Sequence, residues 1–286
     1  MKFAVIGGDM RTLSMCSLLA EDGHEVRTFA LEQAKQPPGW MAGSVQDAAR
    51  GADCVILPLP AWGKGGLLNS PMSAGEFSME EILNAVAEKT PVCAGMADDR
   101  LKELALRRDL ELHDYLKREE LAVENAVATA EGAVDVLIRE TESTLRDSRV
   151  LIVGFGRIGK VLAHRLHGMC AAVAVSARSF GDRAWISAYG YEAADTYAMD
   201  TELGKADIVV NTVPAMVLGA EQLKRLRPGA LCVDLASKPG GVDFPAASQL
   251  GIKTVWALSL PGKTAPRSSG RVIRDTIYNI LKERGS

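Results

Sequence analysis

The chain has 286 residues, enough for two domains of roughly 120 to 150 residues each. A hydrophobic content of 47% supplies the cores, and 33 Lys and Arg against 36 Asp and Glu leave a net charge of −3. That balance offers no footprint for DNA, RNA or an anionic membrane, so small molecules or proteins are the expected ligands.

The five cysteines (16, 54, 93, 170 and 232) are scattered through apolar segments without a C-x-x-C or metal-ligand spacing. They read as buried free thiols of a reducing cytosol, and no metal site is expected. The apolar run "FAVIGG" directly follows Lys2 and is too short for a signal-peptide core. No run of about 18 apolar residues occurs, so a soluble, cytoplasmic chain with no membrane span is expected.

In chain order, "FAVIGG", "RTLSMCSLLAEDG", "HEVRTFA", "DCVILPLP", "EEILNAVAEK" and "TPVCAGM" alternate strand-like with helical patterns. Such alternation predicts right-handed βαβ units and a parallel sheet, a first Rossmann-like domain over 1–115. Leu13, Cys16 and Ala20 fall on one helical face, with Gly23 at the C-cap. Residues 116–145 read as one long connecting helix with alanines at 122, 126, 128, 130 and 133. A second alternating series over 146–265 predicts another doubly wound domain, its first helix facing inward with Ile158, Val161, Leu162, Leu166 and Met169. Residues 266–286 form a last helix with Ile273, Ile277, Ile280 and Leu281 on one face, expected to return to the first domain. The fold class is therefore α/β, two doubly wound parallel-sheet domains joined by a long helix.

Two strand-to-helix turns compete as a phosphate site. "VGFGRIG" places Gly154, Gly156 and Gly159 in the G-x-G-x-x-G pattern, with Phe155, Arg157 and Ile158 between them. The glycines serve a tight turn, close approach of a pyrophosphate and helix-on-strand packing. The next strand ends in Ser176, Arg178 and Ser179 where an acidic residue would read the ribose of NAD. Those donors suit a 2′-phosphate, favouring NADP; the alternative is a solvated Arg178 on a domain that binds nothing. Asn211, Thr212, Val213 and Pro214 end a further strand and are expected along the cofactor.

"IGGDMR" has the shape without the chemistry, because Asp9 repels a pyrophosphate and no third glycine follows. It reads as the substrate-side wall of an interdomain cleft, with Arg11 as a carboxylate contact, or else as a capped helix start. "DLASKPGGVDF" offers Ser237, Lys238 and the amides of Gly240 and Gly241 to a carboxylate-bearing substrate, against an ordinary Pro-Gly turn with a surface lysine. "LPGKTAPRSSG" brings Lys263, Thr264 and Arg267 to the start of the last helix, attractive to an anion or simply a capped start. His24, His113, His164 and His167 have no zinc-ligand spacing, and no G-x-S-x-G or Cys/His nucleophile pattern occurs. Hydride chemistry needs none of these.

"GGDMR", "NAVATAEGA", "VGFGRIG", "DLASKPGGVDF" and "LPGKTAPRSSG" together resemble the family of dipicolinate synthase A subunits over essentially the whole chain. The broader architecture is similar to 2-hydroxyacid and alanine dehydrogenases, although the C-terminal catalytic histidine of the former has no counterpart. The resemblance implies oxidation of dihydrodipicolinate, or of its hydroxylated tetrahydro precursor after loss of water, to dipicolinic acid in the mother-cell cytoplasm of a spore former. It implies a flavoprotein-like B subunit as partner; a homo-oligomer is compatible with it. A dicarboxylate substrate suits Arg11, Lys238, Lys263 and Arg267, with Thr129 or Glu131 orienting the ring. If water must be lost, a desolvated Lys238 is the expected acid/base. Another NADP-dependent dehydrogenase of a small oxo or hydroxy acid, and a nucleotide-binding protein without turnover, stay open.

Overall fold

The computed structural model describes residues 1–285. They form two compact units, one of Met1–Glu124 with Ala265 onward, the other of Asn125–Thr264. The long helix is shorter than its sequence pattern and belongs to both units.

In the first unit, β1 (Lys2–Ile6), β2 (Glu25–Phe29), β3 (Cys54–Ile56), β4 (Pro91–Ala94) and β5 (Glu111–Asp114) form a parallel sheet in the order β2-β1-β3-β4-β5. Helices α1 (Met10–Glu21), α2 (Val45–Ala49), α3 (Met79–Asn84) and α4 (Asp99–Arg107) connect the strands. Leu13 and Cys16 on α1 are buried, as the periodicity requires, and Gly23 follows the helix with φ 85°. Asp114 then accepts a bond from the Leu116 amide, which draws residues 115–117 into a 3-10 turn. Helix α5 therefore starts at Glu119 rather than 116, and it ends at Glu140 rather than 145. The residues just after it leave the helix before a second 3-10 turn at Leu145–Asp147.

The second unit pairs six parallel strands in the order β11-β10-β9-β6-β7-β8. Its elements are β6 (Arg149–Val153), α6 (Arg157–Gly168), β7 (Ala172–Ala177), α7 (Phe180–Ala188), β8 (Glu192–Asp195), α8 (Asp200–Lys205), β9 (Ile208–Asn211), α9 (Ala220–Leu223), β10 (Leu231–Asp234), α10 (Phe244–Gln249), β11 (Lys253–Trp256) and α11 (Leu260–Thr264). Both faces of the sheet are covered, so β6 and β9 are apolar throughout their interior. Ala130 and Ala133 of α5 are fully buried in one of its two cores with Leu162 and Leu166 of α6. Ile158 and Val161 are partly buried there, whereas Met169, expected on the same face, lies beyond the end of α6 and is exposed.

The last helix, α12 (Pro266–Arg284), belongs to the first unit. Ile273, Ile277 and Ile280 join Cys16 and Leu19 in a common core. The two helices meet at Gly270, where a Cβ would lie 2.7 Å from the Arg11 carbonyl oxygen and 2.8 Å from the Met15 amide nitrogen. Backbone approaches backbone here, so no side chain has room.

Four of the cysteines are buried, but Cys170 is exposed at φ 65° just after α6, a departure from the expectation of five buried thiols. Burial pushes the Cys16 and Cys232 thiols up to about 12, which keeps them protonated and unreactive near neutrality. Among the described residues no helix is long and apolar enough to cross a membrane.

The α1–α12 crossing gives a direct test. Gly270→Ala should destabilise the first unit by roughly 1–3 kcal/mol, read as a lower midpoint in urea, because neither backbone can yield to the new methyl group.

Candidate functional site

The three glycines of "VGFGRIG" take different roles. Gly154 leaves β6 at φ 102°, and its amide donates to the Ser176 carbonyl at 3.0 Å. A Cβ on Gly159 would come within 2.1 Å of the Gly154 carbonyl oxygen, so α6 packs directly on the turn. Gly156, at the N-cap of α6, has no atom within 4 Å of where its Cβ would stand. The open side of the turn is thus next to the positive end of a 12-residue helix, the arrangement a pyrophosphate needs.

A groove of about 1030 Å³ begins at this open side and is lined by Gly154, Phe155 and Gly156, by Ala177, Arg178, Ser179 and Asp182, by Thr196 and Tyr197, and by Thr212 to Ala215 with Val217. These residues come from the carboxyl ends of β6, β7, β8 and β9, where an open α/β sheet places its ligand. Arg178 is exposed and has no hydrogen-bond or ion-pair partner among the described residues. Ser179 is committed to its own helix: its hydroxyl donates to Asp182 Oδ2 at 2.8 Å and accepts from the Asp182 amide at 3.0 Å.

Two residues expected at the cofactor point elsewhere. Ser176 is fully buried, and its hydroxyl accepts from Thr196 Oγ1 at 3.2 Å, so it ties β7 to the loop after β8. Asn211 is also fully buried; its Nδ2 donates to the Val213 carbonyl and to Asp234 Oδ1, and its Oδ1 accepts from the Val213 amide. Thr212 donates to the Val153 carbonyl at 2.9 Å beneath Gly154 and lines the groove together with Val213 and Pro214. Ile158 and Gly159 pack inward and support the turn. Arg157 opens α6 one residue past the groove-lining Gly156.

The buried carboxylate of Asp234 has no signature in the sequence and is found only in the fold. It accepts from Asn211 Nδ2 (2.8 Å), the Ala236 amide (2.9 Å) and the Gly241 amide (2.8 Å). Gly241 is therefore not available to a substrate carboxylate, and the Gly240 amide is bonded to the Ser237 carbonyl at 2.8 Å. Gly240 and Gly241 are both buried, with Trp256 against the former; Ser237 and Lys238 stand exposed on the same turn. Burial thus does not equip Lys238 for acid/base work, and its charge faces solvent instead.

The other expected substrate contacts are largely engaged. Arg11 makes a forked ion pair with Asp9, at 2.7 Å from Nη2, and also donates to the Leu59 carbonyl at 2.6 Å. Asp9 simultaneously caps α1 by accepting from the Arg11 amide. The Gly7–Gly8 turn is filled by protein: a Cβ on Gly8 would strike Thr12 Oγ1 at 2.1 Å, and one on Gly7 would meet Leu68 at 2.8 Å. Unlike the second turn, it has no open side. Glu131 pairs with Arg165 at 3.5 Å, Thr129 bonds back to the Asn125 carbonyl, Thr264 to Leu260, and Arg267 reaches Glu21 at 3.6 Å. Lys263 is exposed. Lys263 and Thr264 close the second unit, in α11, whereas Arg267 belongs to the first unit, in α12.

Comparison with known proteins places this geometry. Residues 2–116 match the N-terminal domain of the dipicolinate synthase A subunit, and residues 117–239 match the NAD binding domain of D-isomer specific 2-hydroxyacid dehydrogenases. The A subunit of dipicolinate synthase from Bacillus subtilis is 29% identical over 99% of this chain and 96% of its own. The chain is similar to the dipicolinate synthase A subunits along its length. The crystal structure of the Bacillus subtilis protein superposes with a TM-score of 0.88, covering 99% of this chain and 96% of that one. The structure of the corresponding Bacillus halodurans protein, 27% identical, gives the same TM-score over 98% and 97%. The second unit is thus a dehydrogenase-type domain for a nicotinamide dinucleotide, and the groove at Gly156 has the form such a cofactor requires.

The glycines can be separated experimentally. Gly156→Val should cost no more than about 1 kcal/mol of stability, the N-cap preference for glycine, yet abolish dinucleotide binding, since it fills only the open side. Gly159→Ala should instead cost about 1–3 kcal/mol or more of stability, because its methyl group meets a backbone carbonyl.

Proposed function

We propose that the chain is the NADP-dependent component of a dipicolinate synthase and oxidises a dihydropyridine dicarboxylate to dipicolinic acid. The observation that carries this reading is a fingerprint turn with an open Gly156, ended by the unpaired Arg178, in a chain that resembles the dipicolinate synthase A subunits from end to end. Aromatisation provides the driving force: the dihydropyridine ring loses a hydride and a proton. When bound, the oxidised nicotinamide supplies the hydride acceptor.

The chain's own residues bind and orient. The first turn of α6 and the Gly156 backbone hold the pyrophosphate, and Val213 with Pro214 form an apolar wall beside it. Arg178 takes the 2′-phosphate, helped by the positive end of α7, which starts two residues later. Lys238 and Lys263 are solvent-facing cations suited to the substrate's carboxylates, Lys238 being the first choice for positioning the ring. The relatives are named as one subunit of a synthase, which implies a partner, and we assign that role to a flavoprotein-like B subunit. The setting is the mother-cell cytoplasm during sporulation, with the substrate drawn from the lysine pathway's dihydrodipicolinate synthase.

The decisive assay mixes the chain, NADP⁺ and freshly formed dihydrodipicolinate synthase product, with and without the B subunit, and follows dipicolinate. Product is expected in at least one arm; none in either would overturn the reading, and turnover of a different oxo or hydroxy acid would replace it. Cofactor choice is tested separately by Arg178→Ala. Loss of one charge-assisted contact of about 1.5–3 kcal/mol should raise the NADP⁺ dissociation constant roughly 10- to 100-fold and leave that of NAD⁺ within a factor of about 3.

A further inference from the structure

Among the described residues that line the groove, Tyr197 is the one exposed aromatic side chain. It is 80% exposed, whereas Phe155, the other aromatic on the groove wall, is 7% exposed. Its hydroxyl has no partner among the described residues, yet its backbone is held firmly. The Tyr197 amide donates to Asp195 Oδ1 at 2.9 Å, and the Ala198 amide donates to the Asp195 carbonyl at 3.0 Å. Asp195 is itself fixed by Arg183 at 2.5 Å, and Thr196 is tied to Ser176. The loop is therefore a braced turn that presents a bare aromatic face to the groove.

Its neighbour identifies what the face is for. Strands β7 and β8 pair in parallel with Ala177 opposite Asp195, so Arg178 and Tyr197 leave the same end of adjacent strands. A cation and an aromatic plane side by side match a nucleoside whose phosphate sits on the ribose 2′ carbon next to the base. We propose that Tyr197 is the stacking platform for the adenine ring of the dinucleotide, and that it fixes which end of the cofactor enters this part of the groove. This inference rests on the dinucleotide reading above. Stacking recognises the π-face of the base, and the adjoining apolar Ala177 contributes a surface without polar demands. Because the side chain is exposed, removing it should not disturb folding.

The test is calorimetric titration of the full chain with NADP⁺, with adenosine 2′,5′-bisphosphate, with nicotinamide mononucleotide and with NAD⁺. Tyr197→Ala should weaken the first two by roughly 5- to 100-fold, the range that base stacking on an aromatic side chain carries. Tyr197→Phe should stay within about threefold of the parent, and nicotinamide mononucleotide should respond to neither variant. An alanine variant that binds adenosine 2′,5′-bisphosphate as tightly as the parent overturns the platform and leaves the dinucleotide reading intact. A parent chain that binds neither NADP⁺ nor NAD⁺ overturns that reading, and the platform with it.

Discussion

The contact between Gly159 and the Gly154 carbonyl governs what the second unit can hold. With no side chain at either position, α6 begins almost on top of the end of β6, and its positive end meets the groove rather than protein. Every other groove feature is set relative to this junction: Thr212 is wedged beneath Gly154, β7 is bonded to the turn through the Ser176 carbonyl, and Gly156 remains open. The first unit has the same strand-turn-helix path but reverses the outcome. Thr12, Leu68 and Asn69 crowd its two glycines, and the space a ligand would use is core.

The alternation of strands and helices, the two sheets and the return of the last helix were all readable from periodicity, because burial imposes a period on the apolar residues. The fingerprint turn was readable for a related reason: three glycines at fixed spacing answer three separate steric demands. Polar residues at strand ends were harder. Asn211 and Ser176 stand where ligand contacts are expected, but each satisfies a neighbouring loop instead, and only the fold reveals that Asp234 and Thr196 are opposite them. The same blindness applies to the Pro-Gly turn after β10, whose amides are spent on Asp234 and Ser237. Tyr197 carries no sequence signature, being an exposed tyrosine; the pairing of β8 beside β7 is what gives it meaning.

Charge follows a similar division. Of the cations that the sequence offered to a dicarboxylate, Arg11 already holds a carboxylate of its own and Arg267 lies within reach of Glu21. The Arg11 pair is partly buried and also bonded to the Leu59 carbonyl, so it acts as a brace between the start of α1 and the loop after β3. Lys238 and Lys263 differ in that their charges meet water, and a ligand binding there displaces solvent rather than an internal partner.

The Gly270 crossing has a consequence for the order of assembly. The first unit is sewn from both ends of the sequence, with the whole of 125–264 inserted between its parts. While the chain is being synthesised, the face of α1 that will receive Ile273, Ile277 and Ile280 stays uncovered until the whole of 125–264 and then α12 itself have emerged. The dehydrogenase-type unit, continuous in sequence, can close in the meantime. Helix α12, made only after the whole of 125–264, then seals the core that β1 and α1 began.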